Sequence, residues 1–207
     1  TLGTKVGDEY IQLNTAIIQI ENEYYSSIRP KRLVGSGERP INALRDNGIE
    51  YVEIRALDNN IYDPFGISDE TAIFLESFLF YCLLSEDQPC DADEIKKIQN
   101  NWGNVVLFGR DEDLKLQFKE GSMPLRDKAA KILDEMTNFE SRIGDQEYRN
   151  IFKKSLETQR LKISDSNMTP SGKLLREISA SGLSWDKYTD QIAKNHKEEI
   201  LRLKKDV

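Results

Sequence analysis

Helical periodicity dominates the last two thirds of the chain and limits the folds that it can adopt. The pattern is typical of amphipathic helices that bury one face. Start signals agree with it, because Ser68 or Asp69 can cap one helix and Asp91 with Glu94 forms a capping box for the next. The predicted helices span residues 70–85, 91–102, 124–143, 146–161, 169–182 and 184–206. The segment VVLFGR, residues 105–110, could be a short strand or an extension of the preceding helix.

The first third of the chain has a different pattern. YIQLNTAIIQIENEYY, residues 10–25, is rich in β-branched and aromatic residues and lacks Gly and Pro, which predicts a long strand. Prolines, glycines and basic residues then indicate a loop over residues 26–40. A short helix follows in PINALRDNG, where Gly48 stands at the position of a left-handed C-terminal cap before the strand IEYVEIRALD. The predicted fold class is therefore α+β, with strands in residues 1–60 and a mainly helical remainder in residues 61–207.

Composition places the chain among ordinary globular proteins. Its 207 residues are 38% hydrophobic and 31% charged, and the formal net charge of -7 argues against nonspecific binding of nucleic acid. The longest apolar run, residues 71–84, contains Glu76 and is shorter than the roughly 20 residues of a membrane-spanning helix, so we expect a buried helix and no membrane association. Two cysteines without metal-ligand spacing and the lack of a signal peptide favour a reducing cytoplasm. Because the chain has no initiator Met and opens just before a predicted strand, we expect a fragment of a longer protein.

An acid and a base stand in the middle of the strand IEYVEIRALD. Side chains alternate between the two faces of a strand, so Tyr51, Glu53 and Arg55 share one face, and Val52 and Ile54 share the apolar face that we expect to point to the core. A separation of about 6.5–7 Å along the strand would let the two charges act on different atoms of one ligand. Glu53 could hold a hard cation such as Mg²⁺, and Arg55 could bind a phosphate or carboxylate. A solvated face or a cross-strand ion pair explains the same pattern.

The predicted first strand ends in a similar group of charges. Glu21 and Glu23 share one face in QIENEYY, just before a loop that carries Arg29, Lys31 and Arg32. Carboxylates beside a Gly-rich basic loop are parts that a metal-nucleotide site uses. A basic run is more often a solvated surface than a phosphate cradle, however, and GSGERP does not have the Walker pattern. The loop alone is therefore a weak indication of nucleotide chemistry.

Three blocks of sequence, taken together, resemble the glutamate-cysteine ligases of the proteobacterial type. The blocks are LNTAIIQIENEYYSSIRPKR, SGERPINAL and GIEYVEIRALD, and their order and spacing match those of the family. A looser similarity continues through FLESFLFYCLL and NNWGNVVLFGR and covers most of the chain. The resemblance implies that the chain is the C-terminal half of such an enzyme. Its partner would be the N-terminal half, which in the family holds most of the metal-binding glutamates and much of the glutamate and nucleotide site.

The resemblance also implies an activity and a fold. Enzymes of this family use ATP and Mg²⁺ to join the γ-carboxylate of glutamate to the amine of cysteine through γ-glutamyl phosphate, which is the first step of glutathione synthesis. Their fold resembles that of glutamine synthetase, with an antiparallel sheet that forms a funnel-like site and with helices outside it. We therefore expect the strands of residues 1–60 to belong to such a sheet.

Site residues follow from the positions that match the family. Glu53 is expected to be a metal ligand, and Arg55 is expected to be the catalytic cation that steadies the phosphoryl group or the glutamyl moiety. Tyr25 is expected to line the cysteine pocket, and Arg29 and Arg32 are expected to be further substrate contacts. The sequence departs from the family in YSSIRP, where the family tends to have Ala-Pro between the Tyr and the Ile, and two serines loosen that turn.

Two other interpretations stay open at the level of sequence. A different carboxylate-amine ligase of the same fold would use another amine acceptor, and the surroundings of Tyr25 would select it. A non-catalytic helical interaction module would leave Glu53 and Arg55 exposed and apart from other polar groups. Under the ligase interpretation, the 207 residues alone are expected neither to make γ-glutamylcysteine nor to bind ATP tightly.

Overall fold

A computed structural model describes residues 5–11, 25–86 and 89–204. The chain divides into two compact units, Thr1–Asp58 and Asn59–Val207. Within the described residues, the first unit carries short antiparallel strand pairs and a helix, and the second unit is mainly helical. The predicted α+β class with a mainly helical remainder is confirmed.

Two strand pairs and one helix form the described part of the first unit. β1 (Lys5–Val6) pairs with β2 (Glu9–Tyr10), and β3 (Ile28–Lys31) pairs with β4 (Tyr51–Ile54), both in antiparallel fashion. Helix α1 (Pro40–Asn47) begins with proline at its first turn, where the missing N–H would have no helical partner anyway. The strand predicted for residues 10–25 lies outside the described residues from residue 12 to residue 24.

The segment between the predicted strands differs from expectation in two details. The loop predicted for residues 26–40 is wrong for Ile28–Lys31, which forms β3. Pro30 is tolerated there because β4 is the one neighbour of β3 within the described residues, and an edge strand can lack an N–H donor. Gly48 has the positive φ expected after α1, at 75°, but its ψ of -172° lies in the extended region that glycine alone enters readily, not in the left-handed helical region.

The apolar face of the β3–β4 ribbon is more exposed than predicted. Val52 is 37% exposed and Ile28 is 48% exposed, whereas Ile54 is partly buried. The prediction that Val52 points to a core is therefore wrong among the described residues. The physical reason is that a two-stranded ribbon needs a second layer to bury its apolar face, and among the described residues no layer covers Val52 and Ile28.

Helices and one hairpin form the second unit. The helices are α2 (Asp69–Leu84), α3 (Ala92–Phe108), α4 (Leu125–Thr137), α5 (Gln146–Ser164), α6 (Pro170–Ser181) and α7 (Trp185–Leu203). The side chains of Ser68 and Asp91 accept backbone N–H groups at the starts of α2 and α3, as the capping patterns predict, and the side chain of Thr169 does the same at the start of α6. Because α3 runs to Phe108, most of the segment 105–110 extends that helix and does not form a strand.

A short hairpin between α3 and α4 was not predicted. β5 (Lys115–Phe118) pairs with β6 (Gly121–Pro124), and Leu116 is 8% exposed. The side chain of Asn101 on α3 binds both backbone polar groups of Gln117: its Nδ2 donates to the carbonyl at 2.7 Å, and its Oδ1 accepts from the N–H at 2.8 Å. The side-chain amide of Asn101 thus forms the pair of hydrogen bonds with β5 that a neighbouring strand would otherwise form.

The core of the second unit lies where α2, α4 and α5 meet. Its buried side chains are Leu133, Met136, Phe152 and Leu156, and Phe74 and Phe78 of α2 pack against them. The fully buried Ser155 donates its hydroxyl to the carbonyl of Glu70 at 2.9 Å, so its burial leaves no unpaired polar group. This hydrogen bond joins α5 directly to the backbone at the start of α2.

The apolar run of α2 is only partly buried. Phe80, Leu83 and Leu84 are 56%, 76% and 58% exposed, so the prediction of a buried helix is wrong for its last turns. Apolar residues occur all around α2, and one neighbouring layer can cover only one side of a helix. Trp102 and Leu107 of α3 are also exposed. Within the described part of the chain, no helix combines the length and the apolar character that crossing a membrane requires.

Candidate functional site

The β3–β4 ribbon gathers charged side chains on one face. Its register places Arg29 opposite Glu53 and Lys31 opposite Tyr51. Residues directly opposite each other in an antiparallel pair point to the same face, and residues two apart in one strand also share a face. The face predicted for Tyr51, Glu53 and Arg55 therefore also carries the cations of β3, a neighbouring strand that the sequence pattern assigned to a loop.

Glu53 lies between two cations. Arg55 donates its Nε–H to Oε1 of Glu53 at 2.6 Å, and Nζ of Lys31 lies 3.1 Å from Oε2. All three side chains are about one-third exposed. The hydrogen bond from Arg55 and then the hydrogen bond from Lys31 hold the pKa of Glu53 below its ordinary value. Glu53 thus forms ion pairs with Lys31 of the neighbouring strand and with Arg55, as the alternative of a cross-strand ion pair predicts.

Tyr25 lies beside the same cluster. The guanidinium carbon of Arg55 is 5.1 Å from the centre of the Tyr25 ring, and that of Arg29 is 5.8 Å from it. Both distances are within the range of a cation–π contact. Because Tyr25 is 70% exposed, its ring is open to a ligand while it orients the two arginines. The structure therefore brings together four of the five predicted site residues: Tyr25, Arg29, Glu53 and Arg55.

Arg32 stands apart from this group. Its Nη1 donates to the carbonyl of Asn47 at 2.8 Å and to that of Gly48 at 3.2 Å. These carbonyls close α1, and a cation at a helix C-terminus stabilises both the unpaired carbonyls and the helix dipole. Arg32 thus has a structural partner, and its role as a substrate contact stays a prediction.

The charge of the face decides which chemistry it can perform. Three cations, Arg29, Lys31 and Arg55, face one carboxylate, Glu53, which leaves an excess of two positive charges. Planar guanidinium groups bind phosphate and carboxylate oxygens well. Within the described residues, no group of three or more His, Cys, Asp or Glu side chains could hold a metal ion. The face as described is therefore suited to an anion, and it offers a metal ion a single carboxylate.

Lys31 is the partner that sequence reasoning missed. It belongs to a basic run in the sequence, but its pairing with Glu53 depends on the register between β3 and β4. The available signal was the spacing of Arg29 and Lys31, which alternate in the same way as Tyr51, Glu53 and Arg55. Pro30, between them, favoured a loop and hid that alternation.

Comparison with known proteins identifies the family that carries this ribbon. A sequence model of the family described as "Glutamate-cysteine ligase" matches residues 1–105, which is half of the chain and includes every predicted site residue. The chain belongs to the glutamate-cysteine ligase family. The resemblance stated from the three sequence blocks is thus confirmed.

Individual glutamate-cysteine ligases extend the match beyond residue 105. The chain is 38% identical over 197 residues to the glutamate–cysteine ligase of Pseudomonas fluorescens, covering 95% of this chain and 37% of that protein. It is 40% identical over 201 residues to the ligase of Azotobacter vinelandii, covering 96% of this chain and 38% of that protein. The chain therefore spans little more than a third of the length of the curated relatives that it matches.

Solved structures agree with the family assignment. The crystal structure of a glutamate–cysteine ligase from Francisella tularensis in complex with AMP matches with a TM-score of 0.79 and 36% identity, covering 92% of this chain and 37% of that one. A bifunctional glutathione synthetase from Pasteurella multocida matches with a TM-score of 0.64 and 20% identity, covering 86% of this chain and 22% of that one. The second match shows a shared fold and nothing further.

The ion cluster makes a testable prediction for the titration of Glu53. We expect carbon-13 NMR of the side-chain carboxyl to give a pKa below the ordinary value of 4.5. The contribution of this cluster to stability is then present above the ordinary pKa and is lost as the pH falls through the lowered one. Arg55→Gln should move the pKa of Glu53 back toward its ordinary value, and Lys31→Gln should move it less, because Arg55 is the larger cause.

Arg202→Gln provides the control for this titration, because Arg202 is an exposed residue of α7 whose carboxylate neighbour is Glu198. This substitution should leave the pKa of Glu53 unchanged. If Arg55→Gln also left it unchanged, the 2.6 Å hydrogen bond would not exist in solution.

Proposed function

We propose that this chain supplies one wall of the active site of a glutamate-cysteine ligase. The reaction would join the γ-carboxylate of glutamate to the amine of cysteine with ATP as the energy source. The observation that carries the proposal is the cationic face of the ribbon, where Arg29, Lys31 and Arg55 surround Glu53 within the segment that matches the family. The AMP bound by the Francisella tularensis relative supports an adenine nucleotide as the phosphoryl donor here as well.

In the first step, an oxygen of the glutamate γ-carboxylate attacks the γ-phosphorus of ATP. The bond between that phosphorus and the bridging oxygen breaks, ADP leaves, and γ-glutamyl phosphate forms. Phosphoryl transfer depends mainly on positioning and on neutralising the negative charge of the phosphoryl oxygens. Arg55 is suited to this role because Glu53 fixes its Nε, while no group of the described residues forms a hydrogen bond with its two terminal nitrogens, which can bind oxygens of the phosphoryl group.

In the second step, the amine nitrogen of cysteine attacks the acyl carbon of γ-glutamyl phosphate. Inorganic phosphate leaves, the nitrogen loses a proton, and the amide bond forms. Tyr25 is suited to line the acceptor pocket, since its ring is exposed and is held beside Arg55 at 5.1 Å. Arg29, which also faces Tyr25, would hold a carboxylate of one of the two amino acids.

Magnesium would need ligands beyond the described residues. The described residues do not form a metal centre by themselves, because Glu53 is their one carboxylate on this face and it is already paired with Lys31 and Arg55. We propose that Glu53 contributes at most one oxygen ligand to Mg²⁺ and that the other ligands come from elsewhere in the enzyme.

We infer that the remainder of the enzyme is an N-terminal half that packs on this chain. Phe80 and Leu83 of α2 and Leu107 of α3 are large apolar side chains that are more than half exposed, as expected where another part of a protein packs on them. The chain also spans 37% of the length of the Pseudomonas fluorescens ligase. Both observations support a site that is completed by residues outside this chain.

The proposal is tested by comparing the chain alone with the complete enzyme read from its own gene. We expect the isolated 207 residues to release no ADP in the presence of ATP, Mg²⁺, glutamate and cysteine. The complete enzyme should release ADP in a way that depends on both amino acids. Release of ADP by the chain alone would contradict the division of the site, and preference for another amine over cysteine would favour a different ligase of the same fold.

A further inference from the structure

A cleft in the second unit has the properties of a ligand site. It has a volume of about 310 Å³, which is within the usual range for small-molecule pockets. Its walls are mainly apolar and come from α2, α4 and α5, with Phe74 and Phe78 on one side and Ala129 and Ile132 on another. None of its lining residues belongs to the ribbon of the proposed ligase site.

Two of the residues that line the cleft, Gln159 and Lys162, carry nitrogen donors. Gln159 and Lys162 lie three residues apart on α5, so their side chains share a face of the helix. Nζ of Lys162 donates to Oε1 of Gln159 at 3.3 Å, which occupies the acceptor of that amide. Nε2 of Gln159 is buried and has no hydrogen-bond partner within the described residues. An unpaired donor therefore remains at the wall of an apolar cleft.

Lys162 also lacks a counter-charge. Within the described part of the chain, no carboxylate lies within ion-pair distance of its ammonium group. The carboxylate that influences it electrostatically, Glu70, is bound to Lys154 at 2.7 Å. Burial lowers the pKa of Lys162, because desolvation disfavours the ammonium form. A partly buried cation and a buried amide donor both cost free energy unless an acceptor satisfies them.

A third residue that lines the cleft also carries nitrogen donors and no acceptor. Arg126 lines the same cleft, and it adds a further cation whose Nη2 donates to Glu112 at 2.9 Å. The nitrogen groups at the cleft thus offer donors and positive charge, whereas its walls offer apolar contact. This combination selects a ligand with an apolar body and an anionic end.

We propose that this cleft binds a small amphipathic carboxylate, with its carboxylate at Nε2 of Gln159 and Nζ of Lys162 and its apolar body between Phe78 and Ile132. The site is additional to the proposed ligase function and does not depend on it. Binding would give the unpaired Nε2 of Gln159 an acceptor, would give the ammonium of Lys162 a counter-charge, and would bury the apolar body against side chains that line the cleft. The ligand thereby replaces the missing counter-charge of Lys162.

The test uses octanoate as the probe and octan-1-ol as its uncharged counterpart. Titration of the isotope-labelled chain, followed by amide NMR shifts, should show saturable binding of octanoate with shifts concentrated in α2, α4 and α5. Because a hydrogen bond to a charged group is stronger than a neutral one, octan-1-ol should bind about tenfold more weakly. Saturable shifts confined to other elements, or no saturation at millimolar octanoate, would overturn the proposal.

Lys162→Met removes the charge and keeps the length of the side chain. Octanoate should bind this variant about tenfold more weakly, whereas octan-1-ol should bind it as it binds the unchanged chain. Gln159→Leu should weaken octanoate severalfold in the same way. Lys187→Met, at an exposed lysine of α7, is the matched control and should bind octanoate normally. Equal octanoate affinity of Lys162→Met and the unchanged chain would contradict the proposed carboxylate position.

A stability measurement guards against a folding artefact. The ligand-free Lys162→Met variant should melt at the same temperature as the unchanged chain or at a higher one, because methionine does not carry the desolvation cost of a buried ammonium. A lower melting temperature would mean that groups of the protein already compensate the burial of the Lys162 ammonium, and the proposal would fail.

Discussion

Replacing Arg55 with alanine in the complete ligase is expected to lower kcat about a thousandfold, the order of magnitude that an arginine contributes when it stabilises a transferring phosphoryl group. The structural basis is the position of Arg55, which donates to Glu53 at 2.6 Å and lies 5.1 Å from the ring of Tyr25. Because these two contacts already restrict the guanidinium, it loses little conformational entropy when it binds a phosphoryl group. The measurement is steady-state release of ADP at saturating glutamate, cysteine and ATP.

Arg55→Lys separates charge from geometry in the same assay. A lysine keeps the positive charge but loses the planar fork that binds two oxygens together, so we expect it to recover only a small part of kcat. Stability should change little in either variant, because ion pairs that are about one-third exposed contribute little to folding. Arg202→Ala, at an arginine of α7, is the control and should retain full activity. A kcat of Arg55→Ala within twofold of the unchanged enzyme would remove Arg55 from the mechanism.

Replacing Phe152 with alanine is expected to destabilise the second unit by about 3–5 kcal/mol, the usual cost of deleting a buried phenyl ring. Phe152 is 3% exposed and belongs to the buried cluster with Leu133, Met136 and Leu156. A loss of this size is a large share of the roughly 5–15 kcal/mol that stabilises an ordinary domain. The measurement is urea unfolding followed by circular dichroism at the helical band, where the midpoint should fall.

Leu83→Ala on α2 is the matched control for the core substitution. It removes a large apolar side chain from a helix of the same unit, but Leu83 is 76% exposed, so the change should stay within about 0.5 kcal/mol. If both substitutions destabilised the chain equally, the assignment of the core to α2, α4 and α5 would be wrong.

The helices of the second unit could be predicted because their signals are local. Ser68, Asp91 and Thr169 each accept a backbone N–H at the start of a helix, and such caps are readable from a few adjacent residues. β5 and β6 could not be predicted in this way. Their stability depends on each other and on Asn101, which binds Gln117 from a distant part of the sequence. Whether a short segment forms a strand depends on its pairing partners, and the local sequence does not specify them.

Most residues of the candidate site could be predicted from the sequence, but the contacts between them could not. Alternation along IEYVEIRALD placed Glu53 and Arg55 on one face, and the family resemblance added Tyr25 and Arg29. The pairing of Lys31 with Glu53 required the register of β3 against β4, which Pro30 obscured. The exposure of Phe80 and Leu83 was also beyond sequence reasoning, because an apolar run indicates burial without indicating which layer provides it.

The most direct test of the proposed function is the formation of product by the complete enzyme. Mass spectrometry of a reaction with ATP, Mg²⁺, glutamate and cysteine should detect γ-glutamylcysteine in a one-to-one ratio with ADP. The Arg55→Ala enzyme, at equal concentration and with unchanged folding, should form about a thousandfold less product per unit time. ADP formed without γ-glutamylcysteine, or product formed at the same rate by Arg55→Ala, would contradict the assignment of this ribbon to a glutamate-cysteine ligase site.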